Sequence, residues 1–395
     1  MDRLIYLDHA ATTPLDRRVL EAMAPYLTTS YGNPSTTYAL GREAADAVQQ
    51  ARATVAKILG CRASEVVFTS GGTESINIAI KGVAFQQEQA SAGNHIVTTT
   101  VEHHAVLHAC QYLERFGFDV TYVPVDGRGR VSPADVEAAV NERTILVSVM
   151  AANNEIGTVQ PIAEIAERVR ARAKALRKRI PFHTDAVQAP NSMRVRVDDL
   201  GVDLLSLAAH KFGGPKGMGV LYLRRGVPFI AQQDGGGQER QRRAGTEDVA
   251  GIVGTAEALR LAQDDVDAES ARLRMLSERL RAGILRAIPD ASVNGDADAR
   301  LATVLSICFA GADAEEMIDA LDRAGVACSA GAACGGTNVE PSHVLLAIGL
   351  TLDQAVATLR FSVGRETTED DIDRVLEVLP PIVAASRATR LVAAS

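Results

Sequence analysis

The chain has 395 residues, 47% hydrophobic, 23% charged and 4% aromatic, a globular composition that excludes a disordered or collagen-like chain. Lys and Arg number 41 against 49 Asp and Glu, and the net charge of −8 argues against a broad nucleic-acid or anionic-membrane footprint. At about 150 residues per domain, the length predicts two or three domains.

The chain opens MDRLIYLDHAATTP, with Asp2 and Asp8 where a signal peptide would need a basic start and an apolar stretch. With no apolar run long enough to span a bilayer, a cytoplasmic location is expected. Strands are predicted at Glu65–Thr69, His95–Thr99, Val120–Val123, Thr144–Val149, Phe182–Thr184, Asp203–Leu207 and Val220–Leu223. Helical patterns fall between them, as at Thr73–Gln89, His104–Phe116, Pro133–Val140 and Pro161–Arg177. Such alternation predicts an α/β fold with a mostly parallel sheet covered on both faces. A long helical stretch follows from Asp248 to Ala287, then a strand at Thr303–Cys308, a helix at Asp313–Ala324, a strand at Thr358–Ser362 and a closing helix at Glu369–Ala385. This predicts a large domain over 16–260 and a smaller α+β domain from 1–15 and 261–395. The run Arg168–Arg179 carries seven basic residues, as a solvated helix face or as a docking site for an acidic partner or tRNA.

Five cysteines are too few and too scattered for a disulfide framework, which turns attention to a reactive thiol. In FTSGGTES (68–75) an apolar strand meets two glycines and a helix start, either a capped turn or a phosphate cradle at Gly72 and Thr73. In HTDAVQA (183–189), Asp185 either caps a helix or pairs with a protonated heterocycle, with His183 and Gln188 beside it. In SLAAHKFGGPKG (206–217), Lys211 ends an apolar strand at the sheet edge, where a desolvated amine can form a Schiff base; Lys216 in the turn is a weaker candidate. In EHHAVLH (102–108), His104 and His108 share a helix face, but Ala105 stands where a zincin has Glu and no third ligand has telling spacing, so no metal is expected. His103 either caps that helix or stacks on a planar cofactor. Cys328 and Cys334 lie in a small-residue loop at about 326–342, suited to a mobile thiol. Arg360, after an apolar strand, suits a carboxylate or a surface ion pair.

Taken in order, YLDHAATTP, YGNPST, FTSGGTES, EHHAV, VSVMAANNEIGTVQPI, HTDAVQA, AHKFGGPKG, GGGQERQRRAGTED, the cysteine loop with EPSHVL, and RFSVGR resemble the cysteine desulfurases of the class V aminotransferase group nearly end to end. The resemblance implies a pyridoxal 5′-phosphate (PLP)-dependent transferase of fold type I. By position, Lys211 would carry PLP as a Schiff base and move the Cα proton, Asp185 would pair with the pyridinium, and His103 would stack on the ring and handle the substrate thiol proton. Asn154 and Gln188 would bond the ring oxygen and its surroundings. Gly72, Thr73 and His210 would bind the phosphate, with Thr246 reaching in from a second subunit of a homodimer. Arg360, with Asn33, would hold the substrate carboxylate, and Cys334, by its distance from Pro341-Ser342-His343, would be the nucleophile.

The implied activity converts L-cysteine to L-alanine, with sulfur held as a persulfide for acceptors such as iron–sulfur cluster scaffolds or tRNA-thiolating enzymes. No membrane or direct nucleic-acid partner is expected. The alternatives are a selenocysteine lyase or another class V PLP enzyme, and a non-catalytic scaffold that keeps the fold. Several positions depart from the commoner pattern: Ala208 replaces a phosphate-binding serine, the loop reads Ala-Gly-Ala-Ala-Cys where Ser-Gly-Ser-Ala-Cys is usual, Gly335 and Gly336 follow the cysteine, and Asp248 replaces an asparagine.

Overall fold

The computed structural model describes residues 4–330 and 341–393. Its strands are β1 (Ile5–Tyr6), β2 (Val66–Thr69), β3 (His95–Thr99), β4 (Asp119–Val123), β5 (Thr144–Ser148), β6 (Phe182–Asp185), β7 (Leu204–Ala208), β8 (Gly219–Leu223), β9 (Ala291–Asn294), β10 (Val304–Phe309), β11 (Val326–Ala327) and β12 (Thr358–Ser362). The main sheet has the order β2-β8-β7-β6-β5-β3-β4. Neighbours from β7 to β4 are parallel, while β8 runs antiparallel to both β7 and β2. The order turns back between β3 and β5, the kind of switch point where open α/β sheets bind ligands.

The central strands are buried on both faces, which explains their continuous apolar runs. One face packs Val147, Leu205 and Tyr222 against helices that include Ala39–Leu59 and Val249–Asp264. The other packs Leu146, Leu204 and Leu221 against Gly72–Gln89 and His104–Glu114. A separate core forms around the antiparallel sheet β12-β10-β9, where Phe309, Phe361, Leu280 and Leu379 meet Ile5 and Leu7 from the start of the chain. Each of the two phenylalanines is fully buried, worth about 1.5–3 kcal/mol apiece. β1 reaches this core by pairing in parallel with β11.

The helix expected over 248–287 is in fact two helices, Val249–Asp264 and Val266–Ala287. Asp265 leaves the helical region between them, at φ −118° and ψ 23°. The reason is packing: the first helix buries its apolar positions in the large core, and the second turns Leu273, Leu276 and Leu280 into the other. Asp248 caps the first by accepting the Gly251 N–H at 2.9 Å, a role its carboxylate fills as an asparagine would. Among the described residues, no helix is long and apolar enough to cross a membrane.

Candidate active site

Because β3, β5, β6 and β7 are parallel, their C-terminal ends open on one edge of the sheet. There Gly72, Thr73, His103, Asn154, Asp185, Gln188, Ala208, His210 and Lys211 line a single open pocket. Asp185 ends β6 and is buried. Its Oδ1 accepts the Val187 N–H at 2.9 Å. Burial pushes its carboxyl up to about 6, against the opposing pull of that hydrogen bond and of Lys211. A cation opposite this carboxylate would restore its ordinary ionisation.

Lys211 closes a short 3-10 turn directly after β7. Its Nζ donates to the carbonyls of Ala10 at 2.6 Å and Ala11 at 2.8 Å. Burial and Arg360 lower its pKa to about 8, with Asp185 and Asp8 acting the other way. Gln188 Nε2 donates to the same Ala10 carbonyl at 3.0 Å. His210 Nδ1 lies 3.1 Å from Thr12 Oγ1, and Thr13 Oγ1 donates to the His210 carbonyl. The segment 8–13 thus braces much of the lysine side of the pocket, a role that reading the sequence did not assign to it. YLDHAATTP, one of the stretches that carry the family resemblance, was the available signal.

His103 caps helix His104–Glu114, its Nδ1 accepting the Ala105 N–H at 3.1 Å. One side of the ring is open to the pocket. Protein on the other sides desolvates it and, with Lys211, His104 and His108, holds its imidazolium pKa below the usual range. His183, by contrast, is a satisfied core histidine, wedged between Ser148 Oγ at 2.8 Å and Ser206 Oγ at 2.9 Å. At the other end, helix Gly72–Gln89 presents its free N–H groups to the pocket. A Cβ at Gly72 would stand 2.9 Å from Val187 Cγ2, so only glycine leaves this approach clear.

Arg360, on β12, is buried and does not itself line the pocket. Its Nη1 donates to the carbonyl of the pocket residue Asn154 at 3.0 Å, and its Nη2 pairs with Asp8 Oδ1 at 2.8 Å. Asn33 is exposed, its Oδ1 turned to the Ser35 N–H, and Thr246 is exposed; neither lines the pocket within one chain. Cys334 lies outside the described residues. Cys328 follows β11 and is half-buried, with burial and Asp8 pushing its thiol up to about 12. Past the loop, Ser342 Oγ donates to the buried Glu155, and His343 Nε2 lies 3.0 Å from the Glu102 carbonyl beside His103.

The aminotransferase class-V family model matches residues 5–375, and the chain belongs to that family. Its mostly parallel sheet is that of fold type I, as the sequence led us to expect. Among its relatives, a protein named cysteine desulfurase IscS from Dictyoglomus turgidum is 46% identical over 387 residues, covering 98% of this chain and 96% of its own. One of the same name from Methanosarcina thermophila is 47% identical over 386 residues, covering 98% and 93%. A solved NifS-like protein superimposes with a TM-score of 0.90 at 38% identity, over 97% of this chain and all of its own. The structure titled SspA in complex with cysteine does so with a TM-score of 0.78 at 36% identity, over 91% and 98%.

Proposed function

We propose that this protein is a PLP-dependent cysteine desulfurase. It takes sulfur from L-cysteine, releases L-alanine and holds the sulfur on Cys334 for an acceptor protein. The observation that carries the reading is one pocket in which a buried carboxylate, a lysine of lowered pKa and an open helix N-terminus stand together.

These groups fit PLP. Asp185 would face the pyridine nitrogen, since a carboxyl raised by burial gains most from a cationic neighbour. Gly72, Thr73 and His210 would take the phosphate, where free N–H groups and the close approach at Gly72 favour an anion. Gln188 and Asn154 would border the ring, with His103 against its face. When bound, PLP supplies an electron sink for the pair left on Cα.

The chain's own residues do the rest. Lys211, with a pKa of about 8, has a substantial neutral fraction near neutrality, so its amine can bond the cofactor and later accept the Cα proton. Whenever its amine is released, the Ala10 and Ala11 carbonyls are in place to receive it. His103, neutral at pH 7, can take the substrate thiol proton. Arg360 holds the substrate carboxylate, with Asn33 contributing from its loop. The Cys334 thiolate then attacks the substrate sulfur: an S–S bond forms, the carbon–sulfur bond breaks, and its electron pair stays with the carbon that becomes the alanine methyl. A serine hydroxyl cannot replace that thiolate, because it cannot take up sulfur as a persulfide.

The separate cores support a large domain over 16–260 and a small one from 1–15 and 261–395, with the pocket on the large sheet and Arg360 on the small one. The exposure of Thr246 supports a homodimer in which it completes the partner's phosphate site. Iron–sulfur scaffolds and tRNA-thiolating enzymes are the acceptors this chemistry serves. Borohydride reduction of the yellow holoenzyme tests the assignment: the label is expected on the Lys211 peptide, and a label on Lys216, or no cofactor, would overturn it.

A further inference from the structure

Strand β2 is the outer strand of the main sheet and runs directly into the turn before Gly72. Two of its backbone groups are taken up by an ion pair instead of by another strand. Arg52, from helix Ala39–Leu59, donates through Nη1 to the Val66 carbonyl at 2.7 Å. Glu239 Oε2 accepts the Phe68 N–H at 3.0 Å. The two side chains join at 2.6 Å (Nη2 to Oε1) and 2.8 Å (Nη1 to Oε2), and both are buried. The fork of a guanidinium against a carboxylate thus closes the sheet edge.

Glu239 also begins a run of three residues with left-handed backbone, at φ 45°, 58° and 64° for Glu239, Arg240 and Gln241. Non-glycine residues do not hold such a run unless their surroundings impose it. Here the buried carboxylate is what ties the run to β2. Just beyond it, Arg243 Nε reaches Glu74 Oε1 at 2.9 Å. Glu74 sits in the first turn of helix Gly72–Gln89, and its other oxygen accepts the Ser70 N–H. A carboxylate there would repel a phosphate arriving at the same helix end. Arg243 offsets that charge.

We infer that Arg52 and Glu239 are positioning residues for the phosphate end of the pocket. They fix β2 where it enters the Ser70–Gly72 turn, and they hold the left-handed turn that delivers Arg243 to Glu74. This inference rests on the PLP reading of the site.

The test compares apoprotein affinity for PLP and for pyridoxal, which lacks the phosphate. Glu239→Gln keeps an acceptor for the Phe68 N–H but removes the charge, and Arg243→Gln spares the buried pair. Both are expected to weaken PLP binding roughly tenfold, the scale of a lost charge-assisted contact, while pyridoxal binding stays within about twofold. If Glu239→Gln does not fold, Arg52→Lys, which keeps the charge but loses the fork, takes its place with the same expected result. Parallel weakening of both ligands, or unchanged PLP affinity in Arg243→Gln, would overturn the role. A wild-type apoprotein that binds PLP no more tightly than pyridoxal would overturn the phosphate site itself, and this role with it.

Discussion

On the large-sheet wall of the pocket, Asp185, His103 and Lys211 stand at strand or helix ends with their pKa values displaced by burial. Behind the facing wall, Arg360 reaches over from the small sheet with its charge already matched by Asp8 and one N–H already given to Asn154. The first group of side chains has unmet electrostatic demand, which a cofactor with a cationic ring and an anionic arm would satisfy. The second has its charge matched beforehand but keeps a buried Nε without a hydrogen-bond partner, so a substrate carboxylate held there, as proposed, would share the guanidinium with Asp8. Side chains lining one pocket can therefore be left unmatched toward one ligand while a residue behind that lining is already neutralised toward another.

The strongest way to break this comparison is Asp185→Asn. The variant is expected to keep PLP but lose the charge that holds the ring protonated. Removing one partner of a buried ion pair costs about 3–5 kcal/mol, and if much of that falls on Cα deprotonation, alanine release drops at least about a hundredfold. Activity within about threefold of wild type would reduce Asp185 to a residue that holds the turn at Val187.

The opposite wall predicts paired, smaller effects on KM for L-cysteine. Arg360→Ala removes the carboxylate's partner and leaves Asp8 to repel it, raising KM by about tenfold or more. Asp8→Asn removes the competitor and lowers KM by a few-fold. The same pair bears on pH. PLP uptake by apoprotein needs a neutral Lys211, so its rate is expected to rise with pH and level off above about 8. Asp8 raises that pKa and Arg360 lowers it, so Asp8→Asn should move the inflection down and Arg360→Ala should move it up. Identical inflections in both variants would separate the two walls electrostatically. The smallest effect sharpens the phosphate end. Ala208 lines the pocket, and Ala208→Ser is expected to tighten PLP by about two- to tenfold, the value of one added hydrogen bond measured by equilibrium dialysis.

The large-sheet wall was legible in the sequence because it follows a local rule. Apolar runs mark parallel strands, and residues just past them, such as Lys211 and Asp185, gather at one edge. Arg360 was legible as a cation after a strand, but its ion pair with Asp8 spans 352 residues and leaves no local trace. The Ala10 and Ala11 carbonyls are backbone groups, so YLDHAATTP could mark the segment but not what those carbonyls do. Glu239 was one unassigned residue within GGGQERQRRAGTED; its partner Arg52 lies 187 residues earlier in a helix whose spacing gives no hint of a sheet edge. The break at Asp265 was hidden because helical periodicity continues across it while the core beneath changes.

The most direct test of the account is a single turnover of PLP-loaded protein with sulfur-labelled L-cysteine, followed by persulfide trapping and peptide mapping. The account predicts one labelled sulfur per alanine, on the peptide containing Cys334, with Cys328→Ser unchanged and Cys334→Ser releasing no alanine. Normal alanine release from Cys334→Ser, or sulfur carried on Cys328, would contradict it.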